Sequence, residues 1–161
     1  MHRVVGIIAE GNTAEEVRDE AEKFLNDSMD GHIQHQFLDW YQGVKESGRW
    51  DLEENPDEPI LLSSPEAVKI CSRLLRQSRD DFDYWYKKGQ EALNGEEDDD
   101  DFGSMYVYFS LAGGSHTCWL FDYSSYSRGA DIRDQRMLDK VIKNADSTTP
   151  PLYLCLFDTH N

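Results

Sequence analysis

An α/β fold, α+β by a strict count, is what this sequence predicts: a small mixed sheet of about four to five strands, one long helix and two shorter crossover helices. Three observations lead there. Two short runs, RVVGIIA at 3–9 and LYLCLF at 152–157, are apolar on both faces, as strands covered on two sides are, and CWLFD at 118–122 reads as a further strand. The stretch from Ser63 to Gly95 carries one stripe of apolar or small residues, Ala67, Cys71, Leu74, Ser78, Phe82, Trp85, Gly89 and Leu93, at steps of three and four. Such steps keep to one face of an α-helix. Two further segments with helical spacing follow strand runs, at lengths that suit crossover connections.

Taken in order, Arg3 to Ala9 reads as a buried strand, and Glu10-Gly11-Asn12 as a turn. Thr13 then opens a helix, with Glu16 as its capping-box partner and Ala14, Val17, Ala21, Phe24 and Leu25 on the inner face, ending near Asp30-Gly31. Ile33 to Tyr41 reads as a strand whose one face carries His35 and Asp39 beside Ile33, Phe37 and Tyr41. Gly43 to Gly48 has hairpin-loop composition, with Arg49 to Leu52 returning as a short strand. Glu53 to Pro59 is a polar connection whose two prolines disfavour helix before them.

The long helix follows, with Ser64 as N-cap and Pro65 at its first position, or Ser63 and Glu66 as a capping box, and Gly95 just past its end. Glu96 to Asp101 is an acidic run beyond a helix C-terminus, where negative charge is unfavourable, and is expected to be a solvated, mobile loop. Phe102 to Ala112 fits a strand by propensity and a helix by spacing. Cys118 to Asp122 is a strand. Asp131 is placed to cap a helix with Leu138, Val141, Ile142 and Ala145 on its face, and Leu152 to Phe157 is a last strand.

The length of 161 residues suits one domain spanning 1–161. Asp and Glu total 32 against 16 Lys and Arg, a formal net charge of −16. That field repels nucleic acid and anionic membranes, and no basic stripe offsets it. No apolar stretch approaches the roughly 18–20 residues of a transmembrane helix, and the N-terminal run lacks signal-peptide features, so a cytoplasmic location is expected. Cys71, Cys118 and Cys155 are widely spaced in apolar contexts and read as buried reduced thiols.

Two segments have strand–helix–strand form, and crossovers of that kind join parallel strands. If the strands at Arg3, Cys118 and Leu152 are parallel neighbours, Glu10, Asp122 and Asp158 end at one edge with His160 two residues beyond. Ligands bind at that edge of open α/β sheets. Such a group could hold a divalent cation or supply an acid/base pair; apart from that cation, no cofactor is expected. His2 would lie beside His160 only if the terminal strands were antiparallel. No P-loop, GxGxxG, GxSxG, HExxH or kinase motif is present. Gly113 to His116 is a Gly-rich turn with no helix after it.

The opening MHRVVGI, the DWY at 39–41, the GRW at 48–50, the WLFD at 119–122 with IRD at 132–134, and the ending LYLCLFDTHN together resemble an uncharacterised family of small acidic proteins of haloarchaea and their tailed viruses. The resemblance implies a salt-adapted, virus- or provirus-encoded accessory protein, and a helix over Phe102 to Gly113. Lys and Cys are more frequent here than in a strict halophile. With no catalytic motif, the expected role is non-enzymatic. An acidic, aromatic-bearing surface would bind a protein partner of basic character, with Asp39, Tyr41, Arg49, Trp50, Glu10, Asp122, Asp158 and His160 as candidate binding residues. The alternatives are a small metal-dependent enzyme or ligand-binding domain at the carboxyl edge, and a virion assembly component.

Overall fold

The computed structural model describes residues 2–30, 39–49, 57–95, 107–109, 118–124 and 130–160. The chain divides into two compact units, residues 1–75 with 118–161, and residues 76–117. The first is an α/β unit with a mixed sheet of six strands among the described residues, β1 (His2–Glu10), β2 (Trp40–Gly43), β3 (Ile60–Leu61), β4 (Cys118–Asp122), β5 (Ala130–Asp131) and β6 (Leu152–His160). Its order is β2-β6-β1-β4-β5, with β3 also paired to β6.

The two nine-residue strands β1 and β6 form the centre, antiparallel from His2↔His160 to Glu10↔Leu152. β4 lies parallel to β1 on its other side, with Val4 opposite Cys118 and Ile8 opposite Asp122. β2 and β3 share the outer edge of β6, pairing with its last and its early residues.

Alternation along these strands sorts the core into two layers. One face carries Val4, Ile8, Leu120, Leu154 and Leu156. It packs against Ala67, Cys71 and Leu74 of the long helix α3 (Pro65–Leu93), and against Leu138 of α4 (Gln135–Ala145). The other carries Val5, Ile7, Ala9, Cys155 and Phe157, covered by Val17, Ala21, Phe24 and Leu25 of α1 (Ala14–Met29). Ala14, expected on that inner face, is exposed in the first turn of α1.

The caps follow the sequence closely. Thr13 Oγ1 accepts from the Glu16 amide, while Glu16 Oε2 accepts from the Asn12 amide, one residue earlier than an ideal capping box. Ser64 Oγ accepts from the Ala67 amide at the start of α3. Gly95, just past its end, has φ 68°, the left-handed conformation that glycine adopts without a Cβ penalty.

The 29 residues of α3 are unbroken and about 43 Å long at 1.5 Å each. The stripe predicted along it is buried from Ala67 to Leu74. Ser78, Phe82 and Trp85 are half-buried, and Leu93 is exposed. Within the second unit, Trp85 stacks on Tyr108 and Phe109 lies against Gly89, where a Cβ would come within 2.7 Å of the ring. Residues 107–109 are helical, in line with the spacing; the rest of 102–112, the acidic run 96–101 and Trp50 to Asn55 lie outside the described residues.

Four expectations are corrected. Of the strand read at Ile33 to Tyr41, residues 33–38 lie outside the described residues; Asp39 precedes the strand, which begins at Trp40 and runs on to Gly43. The segment after it is not a hairpin loop but a one-turn helix, α2 (Val44–Ser47), whose Lys45 amide donates to Asp57 Oδ1, a cap from a distant loop that local composition cannot reveal. Asp131 is not the cap of α4. It belongs to β5, and Asp134 Oδ1 accepts from the Met137 amide instead. That bond holds the Asp134 carboxyl below its ordinary range, so the cap is fully formed above that range and is lost as pH falls through the lowered value.

The largest correction concerns the second crossover. β5 pairs antiparallel with β4 and turns the chain over before α4 begins, so β4 and β6 run in opposite directions. The first crossover does join parallel strands: β1 and β2 are both antiparallel to β6, which lies between them.

No helix among the described residues is long and apolar enough to cross a membrane. All three cysteines are buried thiols outside any disulfide, and burial pushes those of Cys71 and Cys155 up to about 12. The native protein should therefore react with a disulfide reagent such as DTNB only after denaturant is added, with all three thiols then released.

Gly6 lies where β1, β4, β6 and α3 meet. A Cβ there would come within 2.8 Å of Leu120 Cδ1 and 3.0 Å of Leu74 Cδ1. Gly6→Val should cost about 1–3 kcal/mol by overpacking, read as a lowered urea midpoint.

Candidate functional site

Antiparallel pairing of the terminal strands separates the carboxylate group expected at one edge. Glu10 lies opposite Leu152, whereas Asp158 lies opposite Val4 and His160 opposite His2. The strand from 152 to 158 advances about 20 Å at 3.3–3.4 Å per residue. Glu10 and Asp122 therefore end at one edge of the sheet, and Asp158 and His160 at the other.

The edge with Asp158 gathers more than the sequence led one to expect. Asp158 is fully buried just beyond Leu156, on the face that packs α3 and α4. Its Oδ1 lies 3.3 Å from His2 Nδ1, and its Oδ2 lies 3.7 Å from Arg49 Nε, too far for a hydrogen bond. That oxygen is buried without a hydrogen-bond partner. Next to this pair, His160 Nδ1 is 3.0 Å from Asp39 Oδ1, and the Asp39 amide donates to the His160 carbonyl. The two imidazoles face each other across the rung, ring centres 4.9 Å apart, and Trp40 packs edge-on against His2.

Four of the eight candidate residues, Asp39, Arg49, Asp158 and His160, thus meet at one place. Tyr41 does not join them: it points to the α1 face, where its hydroxyl donates to Asn26 Oδ1 and its ring meets Phe157 edge-on. Burial, reinforced by the charge of Glu22, raises the Tyr41 phenol above its ordinary value. Trp50 lies outside the described residues.

On the α1 face of the same edge, Arg3 is buried with its guanidinium carbon 4.8 Å from the Trp119 ring centre. Its Nε and Nη1 have no hydrogen-bond partner, and burial lowers its pKa. A cation–π contact thus takes the place of a carboxylate there.

The opposite edge forms a cleft of about 680 Å³ lined by Glu10, Gly11, Asn12, Glu16, Asp19, Glu20, Tyr123, Ser124 and Pro150. It lies where β1 enters α1 and β4 ends. The Tyr123 amide donates to the Ile8 carbonyl and the Gly11 amide to the Pro151 carbonyl, which fixes both loops to the sheet. Asp122 does not line the cleft; its Oδ1 accepts from the Ser124 amide and shapes the turn. Ser124 is 1% exposed, and its hydroxyl has no hydrogen-bond partner although it borders the cleft. Among the described residues the lining holds four carboxylates and no Lys or Arg. The positive end of the α1 dipole offsets only about half a charge of that.

His2, Ser124, Asp19 and Glu20 were not among the candidates. The signal for His2 was the antiparallel alternative for the terminal strands. Asp19 and Glu20 have spacing that marks only a solvent-facing helix side. Comparison with protein families, with curated proteins and with solved structures finds no match for the chain.

The buried Asp158 carboxylate draws its compensation from half-exposed neighbours. Arg49→Ala should therefore cost about 1 kcal/mol rather than the several of a fully buried pair. In an Asp158→Asn background the same change should cost less, and a double-mutant cycle in urea measures the difference.

Proposed function

We propose that this protein acts by binding, and that the cleft at the carboxyl edge of β1 and β4 receives Lys or Arg side chains from a basic segment of a protein partner. The observation that carries this reading is the lining itself: Glu10, Glu16, Asp19 and Glu20 around one concave space, with the unpartnered Ser124 hydroxyl at its border. An ammonium or guanidinium group supplies both the opposite charge and hydrogen-bond donors for these carboxylates. The net charge of −16 favours encounter with a basic partner.

The salt-adapted setting implied by the family resemblance sharpens this reading. At 1 M salt the Debye length is about 3 Å, so long-range attraction is screened and recognition rests on groups in contact. A carboxylate-lined cleft provides such contacts; a diffuse acidic surface does not.

The enzymatic reading needed Glu10, Asp122, Asp158 and His160 together, and nothing in the geometry favours it over binding.

The test is isothermal titration of the full chain with a short Lys/Arg-rich peptide, and separately with spermidine, at low and at molar salt. The double variant Asp19→Asn/Glu20→Gln should weaken peptide binding by about tenfold, for roughly 1.4 kcal/mol lost across two charge contacts. Neutralising Asp139 and Asp146 should leave it nearly unchanged. Equal binding by the cleft variant, or spermidine binding as tightly as the peptide, overturns the proposal.

A further inference from the structure

The geometry at the other edge of the sheet points to a metal site: we propose that His2 and His160 bind a divalent transition-metal ion, zinc or a close neighbour of it, through their Nε2 atoms. Asp158 and Asp39 would hold the two imidazoles from behind. The site is independent of the carboxylate-lined cleft.

The tautomer comes first. An ionised carboxylate only accepts hydrogen bonds, so an imidazole nitrogen facing one carries the proton. His2 turns Nδ1 to Asp158 at 3.3 Å, and His160 turns Nδ1 to Asp39 at 3.0 Å. In its neutral form, each ring so oriented presents Nε2 as the free acceptor. This is the carboxylate–histidine arrangement that orients metal-binding imidazoles and raises their basicity.

Spacing comes second. With Zn–N bonds of about 2.0–2.1 Å at a tetrahedral angle, two imidazoles on one ion have their ring centres roughly 5 Å apart. The rings of His2 and His160 lie 4.9 Å apart with their planes at 62°. The spacing is set by backbone pairing, because the two residues face each other on one antiparallel rung. Trp40, edge-on to His2 at 6.1 Å, limits the swing of that ring.

Electrostatics comes third. Asp158 has no exposed surface and keeps one oxygen without a hydrogen-bond partner, so negative charge behind His2 is under-compensated. A cation on the far side of the imidazole relieves that. His2 and His160 are 27% and 41% exposed at the side chain, so an ion reaches them from solvent. Among the described residues no three His, Cys, Asp or Glu side chains form a ready-made cage. The described residues thus supply two ligands, and water would complete an open, exchangeable coordination sphere. Imidazole selects zinc, nickel or cobalt over magnesium or calcium, which the carboxylate surface would take.

The experiment is titration of the full chain with zinc chloride in excess magnesium chloride, which occupies the carboxylate surface. One saturable zinc site is expected, and in the wild-type chain the imidazole ring-proton signals of His2 and His160 should shift with the same saturation. His2→Ala and His160→Ala should each weaken the site by about tenfold or more, Asp39→Asn by about tenfold, and an Asp139→Asn control on α4 by less than about twofold. Asp39 is exposed and lies outside the strands, so its variant keeps the test readable if a histidine variant folds poorly. Absence of a saturable site, zinc affinity that survives His2→Ala, or unmoved His2 and His160 signals would each overturn the proposal.

Discussion

The pairing of β1 with β6 is the constraint from which the rest of this structure follows. Both strands are buried along nearly their whole length, and nine rungs join them. Of the other strands, β2, β3 and β4 attach directly to one of the two, and β5 follows β4. Because β1 and β6 are antiparallel, the start of one and the end of the other share an edge, and that single fact places Glu10, Asp122, Asp158 and His160. It brings His2 to His160 and Asp158, and leaves Glu10 and Asp122 with the loops that lead into and out of α1 and β4.

The strands buried on both faces and the long helix were legible because each declares itself locally. RVVGIIA and LYLCLF have no polar face to offer water, and the stripe from Ala67 to Leu93 is continuous. The capping residues Thr13, Ser64 and Gly95 were legible for the same reason, since each acts on an amide or carbonyl within a turn of itself. What could not be read depends on partners far away in sequence. α2 takes its cap from Asp57. β3 and β5 are two residues each, too short to show a period, yet β5 alone reverses the direction of everything after it. The convergence of Asp39, Arg49, Asp158 and His160 is the product of that reversal, so it was visible as a list of residues and not as a place.

The two edges handle charge differently. At the cleft, carboxylates accumulate on exposed positions of α1, where solvent screens them and a helix N-terminus partly offsets them. At the histidine edge, charge is taken inside: Asp158 on one face of the sheet and Arg3 on the other, each with polar atoms left without hydrogen bonds. They sit two strand positions from the fully apolar pairs Val5↔Phe157 and Gly6↔Leu156. Burying ionised groups so close to the core is costly unless neighbours compensate. The His2 imidazole, Arg49 and the Trp119 ring supply part of that compensation, which is why so many unlike side chains crowd one end of an otherwise plain sheet.

The position of β6 also bears on how the molecule is made. It is the last of the six strands to leave the ribosome, yet it sits between β1 and both β2 and β3. Until it arrives, β1 has only β4 beside it, and β2 and β3 have no partner among the described strands. Closing contacts across some 150 residues carries a large loop-entropy cost and makes for slow assembly. A nascent chain of this protein must therefore wait with its apolar first strand half covered, and a dense negative charge is a fitting safeguard during that wait, since like-charged chains repel before they can pair with one another.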